Sequence, residues 1–188
     1  DGSIVSLRKP TYSILNWKYG KPHPQLLISP RVAPPMIGLG LLEAVSQKDI
    51  LANADPEDTN NDGISGKANL VWDTQKQKVA LGRFGWKAGE PNIRQQSSKA
   101  FNADIGISAP LVKTPWGDCT PTQQKCRNAP NGNTASQNNL EISPEAMDKL
   151  VFYAQNLAVP ARRDISESKV LAGKKLFYDT NCVSCHRP

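Results

Sequence analysis

The last residues of the chain hold the pattern of side chains best suited to chemistry. Cys182 and Cys185 are separated by two residues, and His186 follows directly. Two thiols at this spacing match the two vinyl groups of a haem, and the adjacent imidazole can ligate the iron. The sequence therefore predicts a covalently bound haem c, with Cys182 and Cys185 as attachment residues and His186 as the axial ligand.

Two other kinds of site remain open for this motif. A redox-active dithiol usually follows a β-strand, whereas the residues before Cys182 have the periodicity of a helix. A zinc site would need ligands from Cys119 and Cys126, whose separation is longer than the usual zinc-ligand spacing. Haem attachment is the favoured interpretation, and the dithiol and the zinc site are its alternatives.

Cys119 and Cys126 lie in a turn-rich segment where a disulfide could join them. On the chain-entropy model, such a bond would remove about 2–3 kcal/mol of loop entropy from the unfolded state. The alternative is a pair of unlinked thiols. A disulfide and a covalent haem both belong to an oxidising compartment, so we expect a periplasmic or other extracytoplasmic location.

An acidic loop in the first half of the chain has part of the spacing of a calcium loop. Asp58, Asn60 and Asp62 would supply side-chain oxygens, and Ile64 would supply a backbone carbonyl. A complete EF-hand has a bidentate Glu where this sequence has Asn69, so the site is at most a shortened calcium loop. The alternative is a turn rich in Asp and Asn.

The residues that precede the haem motif are predicted to form two helices. Ser143 is a typical N-cap residue, and Pro144 fits the first helical position. A stripe of helical period predicts that the first of these helices packs in the core. The stripe consists of Met147, Leu150, Val151, Ala154, Leu157 and Ala158. The second helix is expected over residues 167–178, with Val170, Gly173, Leu176 and Phe177 facing inward.

Earlier segments predict shorter elements. Residues 70–72 and 79–81 flank a polar tip and favour a β-hairpin, and Val5 and Leu7 alternate with polar residues as in a brief strand. Short helices are expected near residues 37–45 and 47–54. A longer helix should begin after Pro91, with an inward face made by Ile93, Ser97, Ala100 and Phe101. We therefore predict a mainly α fold with long loops and a small β-hairpin.

The composition excludes several classes of function. The chain has 188 residues, a formal net charge of +6 and 38% hydrophobic residues, which is enough for a globular core. No stretch approaches the roughly 20 apolar residues of a membrane helix. The basic residues are scattered, which is not typical of a nucleic-acid-binding domain. We therefore expect neither a membrane span nor a nucleic-acid partner.

Four blocks of the sequence carry a family resemblance. They are RVAPPMIGLGLLE (31–43), NNDGISGK (60–67), GRFGWKA (82–88) and LAVPARR (157–163). In combination these blocks resemble the bacterial di-haem oxidoreductases often called thiol oxidoreductases, a family similar to the di-haem cytochrome c peroxidases. The Gly-x-x-x-Phe pattern before the haem motif resembles the first helix of class I cytochromes c, so the last helices are expected to be cytochrome c-like.

The resemblance implies that the chain is a fragment of a larger protein with two c-type haem domains. Residues 1–142 would be the distal part of a first haem domain, with loop insertions and the candidate calcium loop. Residues 143–188 would be the start of a second cytochrome c domain that ends at its haem motif. The motif of the first haem would lie upstream of Asp1.

The resemblance also implies catalytic residues. The peroxidase relatives place a Gln and an acidic residue over the first haem, on a helix with the pattern Leu-x-x-Gln. Residues 93–96 match that helix, which implies Gln96 as an amide donor, and Asp104 is the nearest match for the acid. Such groups would assist cleavage of a peroxide O–O bond. The alternative is a surface helix on which Gln95 and Gln96 are merely solvated.

Distal iron ligands and electron relays are the remaining site residues. In the relatives a distal His can cap the first haem, and His23 is the residue available here; Met36 could also ligate iron. The alternatives are an exposed loop position for His23 and a core position for Met36. Trp72 and Trp86 could relay electrons between haems, or they could be packing residues.

The resemblance therefore implies a periplasmic di-haem oxidoreductase that is an enzyme in its intact form. Electrons from a small donor protein would enter through one haem, and a small-molecule oxidant, hydrogen peroxide, would be reduced at the other. A pure electron-transfer cytochrome without a substrate site is the first alternative. A calcium-binding structural module is the second.

Overall fold

Residues 4–33 form a unit of their own that contains no helix or strand. The computed structural model describes residues 4–187, and a second unit begins at Pro34. The brief strand predicted around Val5 and Leu7 is wrong. A strand needs a hydrogen-bonded neighbour, and no described segment of this unit supplies one.

The second unit is built mainly from helices. The helices are α1 Leu39–Ala44, α2 Gln47–Leu51, α3 Ile93–Ile105, α4 Gln124–Arg127, α5 Pro144–Asn156 and α6 Ser168–Asp179. Strands β1 Leu70–Asp73 and β2 Lys78–Leu81 pair antiparallel, with Leu70 opposite Leu81. Two 3₁₀ turns cover Ala135–Gln137 and Cys182–Ser184. The predicted mainly α class with a small hairpin is confirmed, and no helix among residues 4–187 has the length and hydropathy to cross a bilayer.

Helix α5 packs against α1 and α3 and supplies half of the buried apolar core. The core consists of Phe84, Ile93, Ala109, Met147, Val151 and Ala154, the last three from α5. The predicted N-cap is confirmed, because Ser143 Oγ accepts a hydrogen bond from Ala146 N at 3.1 Å. Met147, Val151 and Ala154 therefore have the core role predicted for the stripe, and Leu150 packs against the same cluster. The prediction is wrong for Ala158, which is exposed because α5 ends at Asn156.

The carboxylate of Glu43 joins α1 to both of these helices. Its Oε1 accepts a hydrogen bond from Ile93 N at 2.9 Å, and its Oε2 accepts one from Gln155 Nε2 at 2.6 Å. At the same end of α1, Arg83 Nη1 donates to the backbone oxygens of Leu42 at 3.0 Å and Glu43 at 3.1 Å. These bonds satisfy the first amide of α3 and the last carbonyls of α1, which have no partner within their own helices.

Helix α6 forms where it was predicted, but the expectation that its apolar residues face inward is wrong. Val170 is 44% exposed and Leu176 is 59% exposed, while Phe177 is half-buried. The main packing partner of α6 is the short turn Cys182–Ser184 rather than another helix. A single turn covers too little of a helix surface to bury an apolar face.

Helix α1 approaches α5 so closely that only glycine fits at the contact. A Cβ atom at Gly40 would lie 2.0 Å from the backbone oxygen of Gln155. Because the clash would be with backbone, no change of side-chain rotamer could relieve it.

We expect Gly40→Ala to lower the free energy of unfolding by about 1–3 kcal/mol, since the two helices must move apart. Urea unfolding followed by circular dichroism measures this. The matched control is Gly173→Ala in α6, where a Cβ atom meets nothing within 4 Å. Alanine is favoured in helices, so the control should keep or slightly raise the stability. Equal unfolding midpoints for the two variants would contradict the close approach of α1 and α5.

Candidate functional site

The turn after α6 gathers the three residues of the predicted haem motif. Helix α6 ends at Asp179, and Asn181 adopts a positive φ of 61° that reverses the chain. His186 N donates to Cys182 O at 3.0 Å, which closes the turn. Both thiols and the imidazole are therefore carried by one short segment, held by its own backbone hydrogen bonds.

The side chains of this turn fit a covalently attached haem. Cys182 is half-buried, Cys185 is exposed, and neither is in a disulfide. Two free thiols and an imidazole are the groups that bind a c-type haem. The ring of Phe177 packs 6.2 Å from the ring of His186, measured between centroids, and so contributes an apolar surface beside the imidazole.

The zinc alternative finds no support in the part of the chain that the structure describes. Within residues 4–187, no group of three or more His, Cys, Asp or Glu side chains is close enough to hold a metal ion. Cys119 and Cys126 lie with their Cα atoms 6.2 Å apart and their sulfurs within disulfide distance of each other. That separation of the Cα atoms is in the normal range for a disulfide.

A cleft of about 1090 Å³ opens beside the haem motif. One side is formed by residues 183–187 and Tyr178, and the other by residues 52–55 and the acidic loop (residues 55–66). Cys185 and His186 both line this cleft, so it lies where a haem bound to them would need space. The acidic loop therefore faces the candidate cofactor site, which the sequence did not indicate.

A side-chain contact holds the two sides of the cleft together. Arg187 Nε donates to Asn53 Oδ1 at 2.8 Å, and Arg187 Nη2 donates to the same oxygen. Arg187 follows the candidate iron ligand directly, and Asn53 lies just before the acidic loop. The Arg187–Asn53 contact therefore ties the haem motif to the base of the loop.

The acidic loop is closed at its base and ordered by its own side chains. Asp55 N donates to Gly66 O at 2.9 Å. Asp58 Oδ1 accepts from Asp62 N at 2.9 Å, and Asp62 Oδ1 accepts from Ile64 N at 2.9 Å. These are the side-chain to backbone bonds of turns rich in Asp and Asn. The calcium site at Asp58, Asn60, Asp62 and Ile64 stays a prediction.

Asp55 lies at the base of the loop and remains ionised over a wide pH range. Its Oδ1 accepts hydrogen bonds from Thr59 N at 2.9 Å and Thr59 Oγ1 at 3.0 Å. The backbone bond from Thr59 is the main cause that lowers the pKa of Asp55 below its usual value of 3.8. The cleft therefore has a negative charge on this wall at neutral pH.

Gln95 and Gln96 have different surroundings, although they are adjacent. Gln95 is 2% exposed, so the alternative in which both residues are solvated is wrong for it. Its Oε1 accepts from Thr74 N at 2.8 Å, and its Nε2 donates to Trp72 O and Glu90 Oε2, both at 2.9 Å. Gln95 is therefore a structural residue that joins α3 to the hairpin.

Gln96 is half-buried and faces the turn at Gly85, which has a positive φ of 78°. A Cβ atom at Gly85 would lie 3.3 Å from Gln96 Oε1. Asp104 is exposed on the same helix, about 12 Å further along its axis at 1.5 Å per residue. The structure therefore does not bring these two catalytic candidates into contact, and their roles stay predictions.

The remaining candidates are at the surface of their respective units. His23, in the first unit, is exposed, and its Nδ1 accepts from Gln25 N at 3.2 Å. Met36 is 47% exposed, so the core alternative for this residue is wrong. Trp72 is 51% exposed and Trp86 is 61% exposed. Iron ligation by His23 or Met36 and electron relay by the tryptophans stay predictions.

Sequence reasoning missed Asn53 and Arg187. The position of Arg187, directly after His186, was a signal that it could affect the iron ligand. Nothing in the sequence marked Asn53, because it lies 134 positions away from its partner.

Comparison with known proteins gives one result. A protein-family model described as "Di-haem oxidoreductase, putative peroxidase" matches residues 1–188. Searches of curated proteins and of solved structures found no match. The family description agrees with the thiol and imidazole groups at the cleft.

Proposed function

Because the chain belongs to the di-haem oxidoreductase family, we propose that it serves a periplasmic c-type enzyme that reduces hydrogen peroxide. The observation that carries this proposal is the cleft lined by Cys185 and His186, next to the free thiol of Cys182. The family requires a second haem, for which residues 1–188 contain no further Cys-x-x-Cys-His motif.

Each residue of the cleft has a definite task in this proposal. The thiols of Cys182 and Cys185 would hold the haem through thioether bonds to its two vinyl groups, and His186 would ligate the iron. Bound haem would supply one-electron chemistry at its iron. Phe177 supports the imidazole from one side, and the Arg187–Asn53 contact keeps the ligand loop in position.

Gln96 is the proposed amide donor to the peroxide. The side-chain amide of Gln96 makes no hydrogen bond to another described residue. Its N–H groups are therefore able to donate to a substrate oxygen. Two electrons and two protons convert hydrogen peroxide to two molecules of water. A small electron-donor protein would supply the electrons, and Asp104 is the candidate for proton delivery.

One further observation supports the proposed compartment. The sulfurs of Cys119 and Cys126 lie at disulfide distance. A disulfide, like the proposed covalent haem, is a product of an oxidising environment. The proposal therefore includes a periplasmic location.

The attachment chemistry is tested by intact mass under denaturing conditions, on protein made together with a haem-attachment system. We expect the mass to increase by one haem, because thioether bonds survive denaturation. The Cys182→Ser/Cys185→Ser double variant should lose this increase, while the control Cys119→Ser/Cys126→Ser should keep it. No increase in the unaltered chain would refute haem attachment.

The role of Gln96 is tested by Gln96→Leu in the di-haem enzyme. We expect peroxide reduction to fall by about 100-fold, the cost of removing one hydrogen-bond donor from a reacting oxygen, with unchanged stability. Gln95→Leu is the matched control at the neighbouring position. It should instead lower the free energy of unfolding by about 1–3 kcal/mol for each buried group left unpaired. Unchanged turnover in Gln96→Leu would remove it from the mechanism and favour the pure electron-transfer cytochrome.

We also propose that the acidic loop binds calcium. Support comes from the side-chain oxygens of Asp58, Asn60 and Asp62 at alternate positions of a closed loop. Isothermal titration calorimetry should show calcium binding to the unaltered chain. The calcium affinity should be roughly tenfold or more lower in Asp58→Asn, since one anionic ligand is lost. Glu57→Gln is the control in the same loop. Absence of binding heat in the unaltered chain would exclude the site.

A further inference from the structure

The cleft next to the haem motif has an acidic wall that the family assignment does not explain. Asp55 and Asp62 line the cleft from the acidic loop, and Cys185 and His186 line it from the opposite side. Arg187 is the one Arg or Lys among the described residues that line it, and its guanidinium is bonded to Asn53. A haem in this cleft would therefore lie beside two acidic residues.

The loop is held in this position by contacts on both sides of its base. The backbone bond between Asp55 N and Gly66 O closes the loop at 2.9 Å. The Arg187–Asn53 contact joins the base of the loop to the haem motif, because Asn53 lies two positions before Asp55 and Arg187 directly follows His186. The separation between the loop carboxylates and the iron ligand is thus set by the fold rather than by the free motion of a surface loop.

We propose that the acidic loop is the second wall of the haem cleft, and that in the calcium-free loop Asp62, with Asp55, lowers the reduction potential of a haem bound at Cys182, Cys185 and His186. This inference rests on the proposed function. A ferric centre carries one more positive charge than a ferrous centre, so nearby carboxylates stabilise the oxidised state. Electron release from the reduced centre becomes more favourable, and this is the direction an electron-donating site requires.

The test compares two variants of the acidic loop that each remove one carboxylate. Asp62→Asn removes a charge that faces the cleft and keeps an oxygen able to accept from Ile64 N. Glu57→Gln removes the same charge from an exposed residue of the loop that does not line the cleft. Reduction potentials are measured by spectroelectrochemical titration of the haem-loaded chain, with EDTA present so that bound calcium does not mask the carboxylates.

We expect Asp62→Asn to raise the potential clearly more than Glu57→Gln does. Asp62→Lys should raise it further, which keeps the test valid if either variant alone perturbs the loop. The difference between Asp62→Asn and Glu57→Gln should shrink as ionic strength increases from about 0.01 M to 1 M, because the screening length falls from about 30 Å to 3 Å.

Equal potentials in Asp62→Asn and Glu57→Gln would overturn the inference, because the position of the charge would then have no effect. A potential in Asp62→Lys no higher than that of the unaltered protein would overturn it as well. Both results require an attached haem and leave the proposed function standing. Failure to attach haem to the unaltered chain refutes the proposed function itself and is recognised before any potential is measured.

Discussion

Two hydrogen bonds accepted by Glu43 hold the helical part of the second unit together. One comes from Ile93 N at the start of α3, and the other comes from the side chain of Gln155 near the end of α5. Helix α3 carries Gln96, and the chain runs from α1 through α2 to Asn53 at the cleft. The Glu43 carboxylate therefore links the helix that carries Gln96, the candidate hydrogen-bond donor to peroxide, to the elements that lead into the candidate haem site.

Features that depend on nearby residues could be predicted from the sequence. The cap at Ser143 and the two strands of the hairpin follow from side chains within a few positions of each other. Chemistry that is confined to a short motif, such as Cys182 to His186, can be recognised in the same way. The folding of these segments is decided locally, so the sequence contains the necessary information in one place.

Features that depend on tertiary packing could not be predicted. The inward face of α3 was expected to consist of Ile93, Ser97, Ala100 and Phe101, but the residues that the helix buries are Ile93, Gln95, Ser98 and Asn102. Gln95 is stable there because Thr74 N in the hairpin donates to its Oε1, and Asn102 is stable because its Nδ2 donates to Thr114 O. The predicted burial of α6 was wrong for a different reason. The apolar residues of the helix do not indicate that only a short turn packs on it.

The contact between Asn53 and Arg187 also determines an order of assembly. The two residues are 134 positions apart, so the contact requires closure of a very long segment of chain. Contacts of this kind form late, after local helices and the hairpin have reduced the entropy of the intervening chain. Until this contact forms, Cys182 and Cys185 therefore lie outside a completed cleft, which leaves both thiols accessible for attachment of the proposed haem before the acidic wall is in place.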